Sequence, residues 1–439
     1  MIKPLVITVF LFMLIFITSC ADNTENLKKG NEAMEKKSWQ EALTYYNKAL
    51  ESDPKCVEAL SNKGYILGIE GKFDEGLACL DKAIEIKPDY GDAWNNKGFV
   101  LYIQGKFDEA NKSVDKALEI DQKNVKAWCN KGNIFQAQQK YDEAIKNYDK
   151  AIEIDPKNME PWKYKGIALI STNKTDEAIK CFDKAIEIDP KEMINWVGKG
   201  DVFYQQGKYE EAIKCFDKVL ENEYTLLYQL GKFREVQECS DKVLKSNPKN
   251  VEALNCKGIM LAFEKKYAES SKCFDRAVEI DKNYTRAWCN RAKNLSIEGK
   301  SEEALKYYDK ALESDPKYIN AWKYKNLTLI ALKKYDEAIK CSDKILELDP
   351  EDLNAMAGKG NALYLAGKFE ESVQCFDKML EKIPDNVTVL LSKAMGLVSL
   401  KKYQEAVAVY DKVLTIEPNN PSAVQGKENA MKEMGTVKK

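Results

Sequence analysis

The sequence contains no histidine. Ser-His-Asp and Cys-His nucleophilic sites, histidine general bases and every histidine-ligated metal centre are therefore excluded. An excess of one charge is also missing. The 68 Lys and Arg against 70 Asp and Glu leave a net −2, without the basic surplus that nucleic-acid binding requires. The 12 cysteines contain no C-x-x-C pair, which argues against a zinc site, and no disulfide framework is expected of them. No Gly-rich phosphate loop, acidic metal cluster or paired-carboxylate constellation stands apart from the rest of the chain. The expectation is a protein that is not an enzyme, carries no cofactor or metal and binds no nucleic acid.

Long apolar runs are absent except at the start. Residues 5–17, LVITVFLFMLIFI, follow a single Lys3 and lead into Ile17-Thr18-Ser19-Cys20. An apolar core of this length ahead of small residues reads as a secretory signal, too short for a comfortable spanning helix. The stretch resembles a bacterial or archaeal lipoprotein signal, whose motif ends in an invariant cysteine. That resemblance implies loss of residues 1–19 and lipid attachment at Cys20, with 20–22 as linker. An uncleaved anchor, with Cys20 an incidental thiol, is the alternative. Each buried acyl CH₂ contributes ~0.8 kcal/mol, so two or more chains anchor firmly. Either way the remainder is expected outside the cytoplasmic membrane, on the periplasmic or cell-surface side. Loss of Lys3 with the leader makes the charge −3.

Beyond Cys20 the sequence repeats every 34 residues. Trp94, Trp128, Trp162, Trp196, Trp288 and Trp322 form one column, and Leu60, Leu254, Met356 and Leu390 fill it elsewhere. Four residues on stand Gly64, Gly98, Gly132, Gly166, Gly200, Gly258 and Gly360, with Ala292, Asn326 and Ala394 as departures. Twelve further comes a small residue, as in Ala110, Ala144, Ala178, Ala212, Ala304, Ala338 and Ala406. A proline closes most copies; Gln122 and Lys282 replace it twice. Within 125–158 the apolar spacing predicts two helices, about Val125–Gln138 and Asp142–Ile154. Asp142 and Glu143 sit where a helix N-terminus favours a cap and negative charge. Gly132 and Ala144 are small because two helix axes must approach closely there.

These columns resemble the tetratricopeptide repeat over about 23–434. The resemblance implies an all-α superhelix, a solenoid of antiparallel helix pairs. Copies begin at 23, 57, 91, 125, 159 and 193, then a shortened one at 223–250, then 251, 285, 319, 353 and 387. Units 1–6 thus span 23–222 and units 8–12 span 251–420; 421–434 reads as a capping helix and 435–439 as a tail. Lys208-Tyr209 and Lys232-Phe233 lie 24 residues apart, so the seventh first helix shrinks to about Tyr224–Leu230 and a local break is expected. Trp128-Cys129-Asn130 recurs as Trp288-Cys289-Asn290, and Gly198-Lys199-Gly200 as Gly358-Lys359-Gly360. Each pair is 160 apart, which implies duplication of a five-unit block and two related grooves in tandem.

Seven cysteines share one second-helix column: Cys79, Cys181, Cys215, Cys239, Cys273, Cys341 and Cys375. They read as a small apolar filler. Two charge columns, Asp-Lys pairs such as Asp149-Lys150 and the lysines Lys131, Lys165, Lys199 and Lys257, read as a solvated face with lysine stems over apolar surface.

In proteins similar to this family, first helices line a concave face that takes peptides or partner helices. Counted one, two, five and eight residues after the Trp column, that face carries Asn95, Asn96, Tyr102, Asn130, Asn133, Lys163, Tyr164, Asp201 and Tyr204 in the first block. In the second it carries Cys289, Asn290, Lys293, Lys323, Tyr324, Asn361 and Tyr364. Asn offers donor and acceptor to a peptide backbone, and Tyr offers contact area with a hydroxyl. The carboxylate clamp of some family members is not met: Asn130 is followed one unit later by Tyr164, and Lys163 by Ile167. The expected function is a membrane-tethered scaffold for protein or peptide partners, in envelope complex assembly. The alternative is a structural spacer or self-associating surface protein.

Overall fold

The computed structural model describes residues 23–222 and 224–437. Cys20 and the leader lie outside the described residues. The chain forms two compact units, one ending at Lys208 and one beginning at Tyr209. Every described element is a helix, and none is long and apolar enough to cross a membrane.

The first unit opens with α1 (23–35), α2 (Trp39–Ser52), α3 (Val57–Ile69), α4 (Phe73–Ile86), α5 (Gly91–Ile103) and α6 (Phe107–Ile120). It continues through α7 (Val125–Ala137), α8 (Tyr141–Ile154), α9 (Met159–Ser171), α10 (Thr175–Ile188) and α11 (Met193–Gln205). The second unit begins with α12 (Tyr209–Asn222), α13 (Tyr224–Gln229), α14 (Phe233–Ser246), α15 (Val251–Phe263), α16 (Tyr267–Ile280), α17 (Thr285–Ile297) and α18 (Ser301–Ser314). It ends with α19 (Ile319–Ala331), α20 (Tyr335–Leu348), α21 (Leu353–Leu365), α22 (Phe369–Lys382), α23 (Val387–Ser399), α24 (Tyr403–Ile416) and α25 (Pro421–Val437). Each unit is a solenoid of antiparallel helix pairs.

One pair shows the local physics. Asn124 caps α7, its side chain accepting from the Ala127 amide at 3.0 Å. The cap expected at Asp142 is corrected: Lys140 holds the N-cap place of α8 without a side-chain bond, and Asp142 and Glu143 lie in the first turn, complementing its dipole. A Cβ on Gly132 would stand 2.4 Å from Tyr148 Cε1, so the ring lies directly on the glycine backbone. The same sixteen-residue spacing seats Phe182 on Gly166, Phe274 on Gly258 and Phe376 on Gly360. Where Asn326 replaces the glycine, Ser342 replaces the aromatic, and the amide donates to the serine Oγ at 2.8 Å. Side-chain volume has moved from one helix to the other.

Joints between copies use different groups. The indole N–H of Trp94, Trp162 and Trp322 donates to the carbonyls of Pro88, Pro156 and Pro316 at 2.9–3.1 Å. Trp128 and Trp288 reach Gln122 and Lys282 in the same way at 2.9 and 2.8 Å, so the bond needs a carbonyl and not a proline ring. The reading of the charge columns as merely solvated is corrected. In most copies the first-helix lysine three after the Trp column reaches back sixteen residues to a second-helix aspartate of the preceding copy; Lys63 reaches Asn47 Oδ1 instead, at 2.7 Å. Lys97–Asp81, Lys131–Asp115, Lys165–Asp149, Lys199–Asp183, Lys257–Asp241, Lys325–Asp309, Lys359–Asp343 and Lys393–Asp377 are 2.6–2.7 Å ion pairs. Arg291–Asp275 continues the row at 3.0 Å. Lys97 and Lys131 also lie 5.7 Å from the Trp94 and Trp128 ring centres, where the indole face attracts the cation.

The shortened copy departs from the sequence register. Its first helix is the six-residue α13, as expected. Register assigns α12 to the sixth copy as its second helix. The structure instead groups α12 with the second unit, packed on α14 and α15, where a first helix of the seventh copy would stand. At the other end α25 runs to Val437, beyond the expected 434, with Gly426 against the Tyr410 ring.

The eleven described cysteines are free thiols, seven of them buried. Burial pushes the thiols of Cys129 and Cys289 up to about 12 and those of Cys181 and Cys341 up to about 11, from an ordinary 9.0. Because the folded values are raised, the stability these neutral thiols contribute is complete below about pH 9 and is lost as pH rises through 11–12. In DTNB titration of the native chain at pH 8, of the eleven described cysteines only the half-buried Cys56, Cys79, Cys273 and Cys375 should react before denaturant is added. Early reaction of the buried set would contradict this packing.

Candidate functional site

The residues two before and two, five and nine after the Trp column share one face of each first helix, since these steps fall within about 60° at 100° per residue. On this face the first unit carries the exposed apolar Ile69 and Ile103, nine after the column at 36% and 42% exposed, beside polar side chains that are engaged with one another. The Asn130 amide donates to Asn95 Oδ1 at 2.8 Å, and the Asn96 amide to Ser61 Oγ at 3.0 Å. Asn95 is 4% exposed, so the expectation that it faces a ligand is corrected: it ties α5 to α7. Asn133 accepts from the Tyr148 hydroxyl at 2.8 Å. Tyr164 stacks on Tyr148 with centroids 5.9 Å apart, and Lys163 lies 4.8 Å from the Tyr164 centre. Tyr102 leans on Phe107 at 6.2 Å, and Asp201 and Tyr204 are half-buried on α11.

The second unit brings more of the expected residues to one place. Asn290 and Lys293 line a cavity of about 220 Å³ with Ile259, Ala262, Phe263, Tyr267, Phe274, Asn294 and Ile297. Lys293 lies 4.8 Å from the Tyr324 ring centre. Asn290 donates to Asn255 Oδ1 at 2.9 Å, repeating the tie seen between Asn130 and Asn95. Further along, Lys323 pairs with Asp352 at 2.6 Å, and Asp352 also accepts from the Ala355 amide. Burial alone would raise the Asp352 carboxyl, but those two partners outweigh it and hold it below the usual range. Tyr364 meets Phe369 edge-on at 5.4 Å, Asn361 is exposed, and Cys289 is buried.

The sequence reading passed over the apolar members of this face. Phe263, Ile297 and Leu365 stand nine residues after the column, and Leu327 and Met395 five after; all are 42–62% exposed. Large apolar side chains repeated on one face of successive first helices form the surface a partner would cover. Their spacing was present in the sequence, but attention to Asn and Tyr masked it.

Arg286 was also missed. It stands two before Trp288 and pairs with Asp217 and Glu221 of α12, the latter at 2.6 Å. Asp217, 1% exposed, also accepts from the Asn255 amide at 2.7 Å and the Tyr284 hydroxyl at 2.9 Å. Burial pushes its carboxyl up, against the opposing pull of Arg286 and those two donors.

Profiles of the tetratricopeptide repeat match residues 125–158, 160–192, 196–223 and 285–318, and a second repeat profile matches 64–105 and 100–139. The chain is a tetratricopeptide-repeat protein. Residues 335–413 also match the profile of anaphase-promoting complex, cyclosome, subunit 3. Among solved structures, this repeat protein is similar to two of MamA, each 24% identical with a TM-score of 0.31. They cover 39% and 37% of this chain and 93% and 95% of their own. YrrB, described as a TPR protein with an unusual peptide-binding site, is 20% identical over 47% of this chain and 95% of its own, with a TM-score of 0.31. No curated protein matches the sequence significantly.

Removing one partner of a buried hydrogen bond strands the other. Asn130→Ala should therefore lower the urea midpoint of the first unit by the equivalent of about 1–3 kcal/mol. Asn361→Ala, at an exposed position, should stay within about 0.5 kcal/mol.

Proposed function

We propose that this repeat protein is a membrane-tethered scaffold whose first-helix face binds peptide segments or partner proteins in the assembly of envelope complexes. Family membership supports an interaction role. The observation that carries the reading is the row of exposed apolar side chains on the second unit, Phe263, Ile297, Leu327, Leu365 and Met395, with Asn290 and Lys293 among them. Apolar contact supplies affinity and the Asn and Lys groups supply orientation, the division of labour common to peptide-binding surfaces. The leader and Cys20 support the tether. Catalysis has no part in this reading, because the repeat accounts for the chemistry-bearing side chains.

Affinity capture from membrane extract tests the face. The mature chain should retain a partner that a Phe263→Ser/Ile297→Ser/Leu365→Ser variant of equal helicity loses. Equal capture by both, or a mass that grows with protein concentration alone, would favour a spacer or self-associating protein. Labelling with radioactive palmitate tests the tether separately: the native chain should take up label in its host, and Cys20→Ala should take up none.

A further inference from the structure

The helix α12 stands where its own sequence does not put it. Ala212 and Phe216 lie twelve and sixteen residues after Gly200, the spacing of a second helix. In the second unit the same helix lies against α14 and α15 and is held by side chains of three successive first helices. Asn255 of α15 donates to Asp217 at 2.7 Å, Arg286 of α17 grips both Asp217 and Glu221, and Asn320 of α19 donates to the Glu221 carbonyl at 3.1 Å. Arg286 and Asn320 occupy the same face position, two before Trp288 and Trp322. An open cavity of about 460 Å³ lies beside this contact, with Lys214, Lys218 and Glu252 on its wall.

Building on the scaffold reading, we propose that α12 occupies in cis a helix-binding site of the second unit. The partner that fits this site is an amphipathic helix carrying two carboxylates one turn apart. Asp217 and Glu221 are such a pair, four residues apart and so on one side of the helix. A guanidinium fork bridging two carboxylates reads that spacing with directional bonds. The attachment is also exchangeable. Taking both charges out of water costs nearly what their attraction returns, so an incoming helix with the same pair exchanges for the tethered one once it overcomes that helix's effective concentration. Because α12 carries the side chains of a second helix, its displacement does not leave it without apolar complementarity.

The test uses the full chain and a labelled peptide of residues 209–222, followed by fluorescence anisotropy. The native chain should bind weakly, because its site is filled. Asp217→Asn/Glu221→Gln loosens the cis helix, and peptide binding should tighten at least tenfold. Adding Arg286→Gln, or neutralising the same two acids in the peptide, should abolish that gain. A folded double variant that binds no peptide, or binding indifferent to Arg286, would overturn the proposal while leaving the Phe263 capture result untouched. A doubled mass that Arg286→Gln abolishes would assign the site to a second copy and also overturn it. Should the double variant not fold, amide exchange in the native chain decides. Residues 209–222 should exchange at least tenfold faster than α14 and α15, and equal protection would refute displacement.

Discussion

The closeness of the two helices within a copy sets everything else in this protein. Tyr148, Phe182, Phe274 and Phe376 each lie on a glycine sixteen residues earlier, where a side chain on the facing helix would collide with the ring. That contact fixes the separation of the two axes, and the wholly buried alanines Ala144, Ala178 and Ala338 keep the crossing tight on the other side. With this distance fixed, the first helices all present the same residue positions outward. A face then exists on which Asn, Tyr, Lys and exposed apolar groups recur from copy to copy.

Between copies a polar set of contacts takes over. The Trp indole holds the turn carbonyl, and the lysine three residues after it closes onto the aspartate of the previous copy. Exposed ion pairs contribute little singly, typically under about 1 kcal/mol. These lysines are half-buried and repeat at successive joints, so their role is to fix rotation from one copy to the next as much as to add stability. The Asn130–Asn95 and Asn290–Asn255 ties do the same on the opposite side of the first helices.

The repeat length, the helix pairs, the glycine–aromatic crossing and the stunted seventh first helix were all legible in the sequence, because each arises from contacts local in the chain. The lysine–aspartate row was not recognised, although its sixteen-residue spacing lay in plain view: Asp149 and Lys165 read as surface charge until the turn folds one onto the other. Asn95 read as a ligand contact because its partner lies 35 residues on, one more than the repeat. The placement of α12 could not be read from periodicity at all. Its pattern belongs to a second helix, and only Asp217, Glu221 and Arg286, separated by more than sixty residues, place it among first helices.

Near-identical joints have an evolutionary consequence. Since Lys97–Asp81 and Lys393–Asp377 are the same contact made at opposite ends of the chain, any copy can follow any other without a new interface. Unequal crossing-over between copies would thus yield shorter or longer chains that still fold, in steps of one whole repeat. The 24-residue spacing from Lys208 to Lys232 departs from that step, and there α12 packs on α14 and α15 in the place of a first helix.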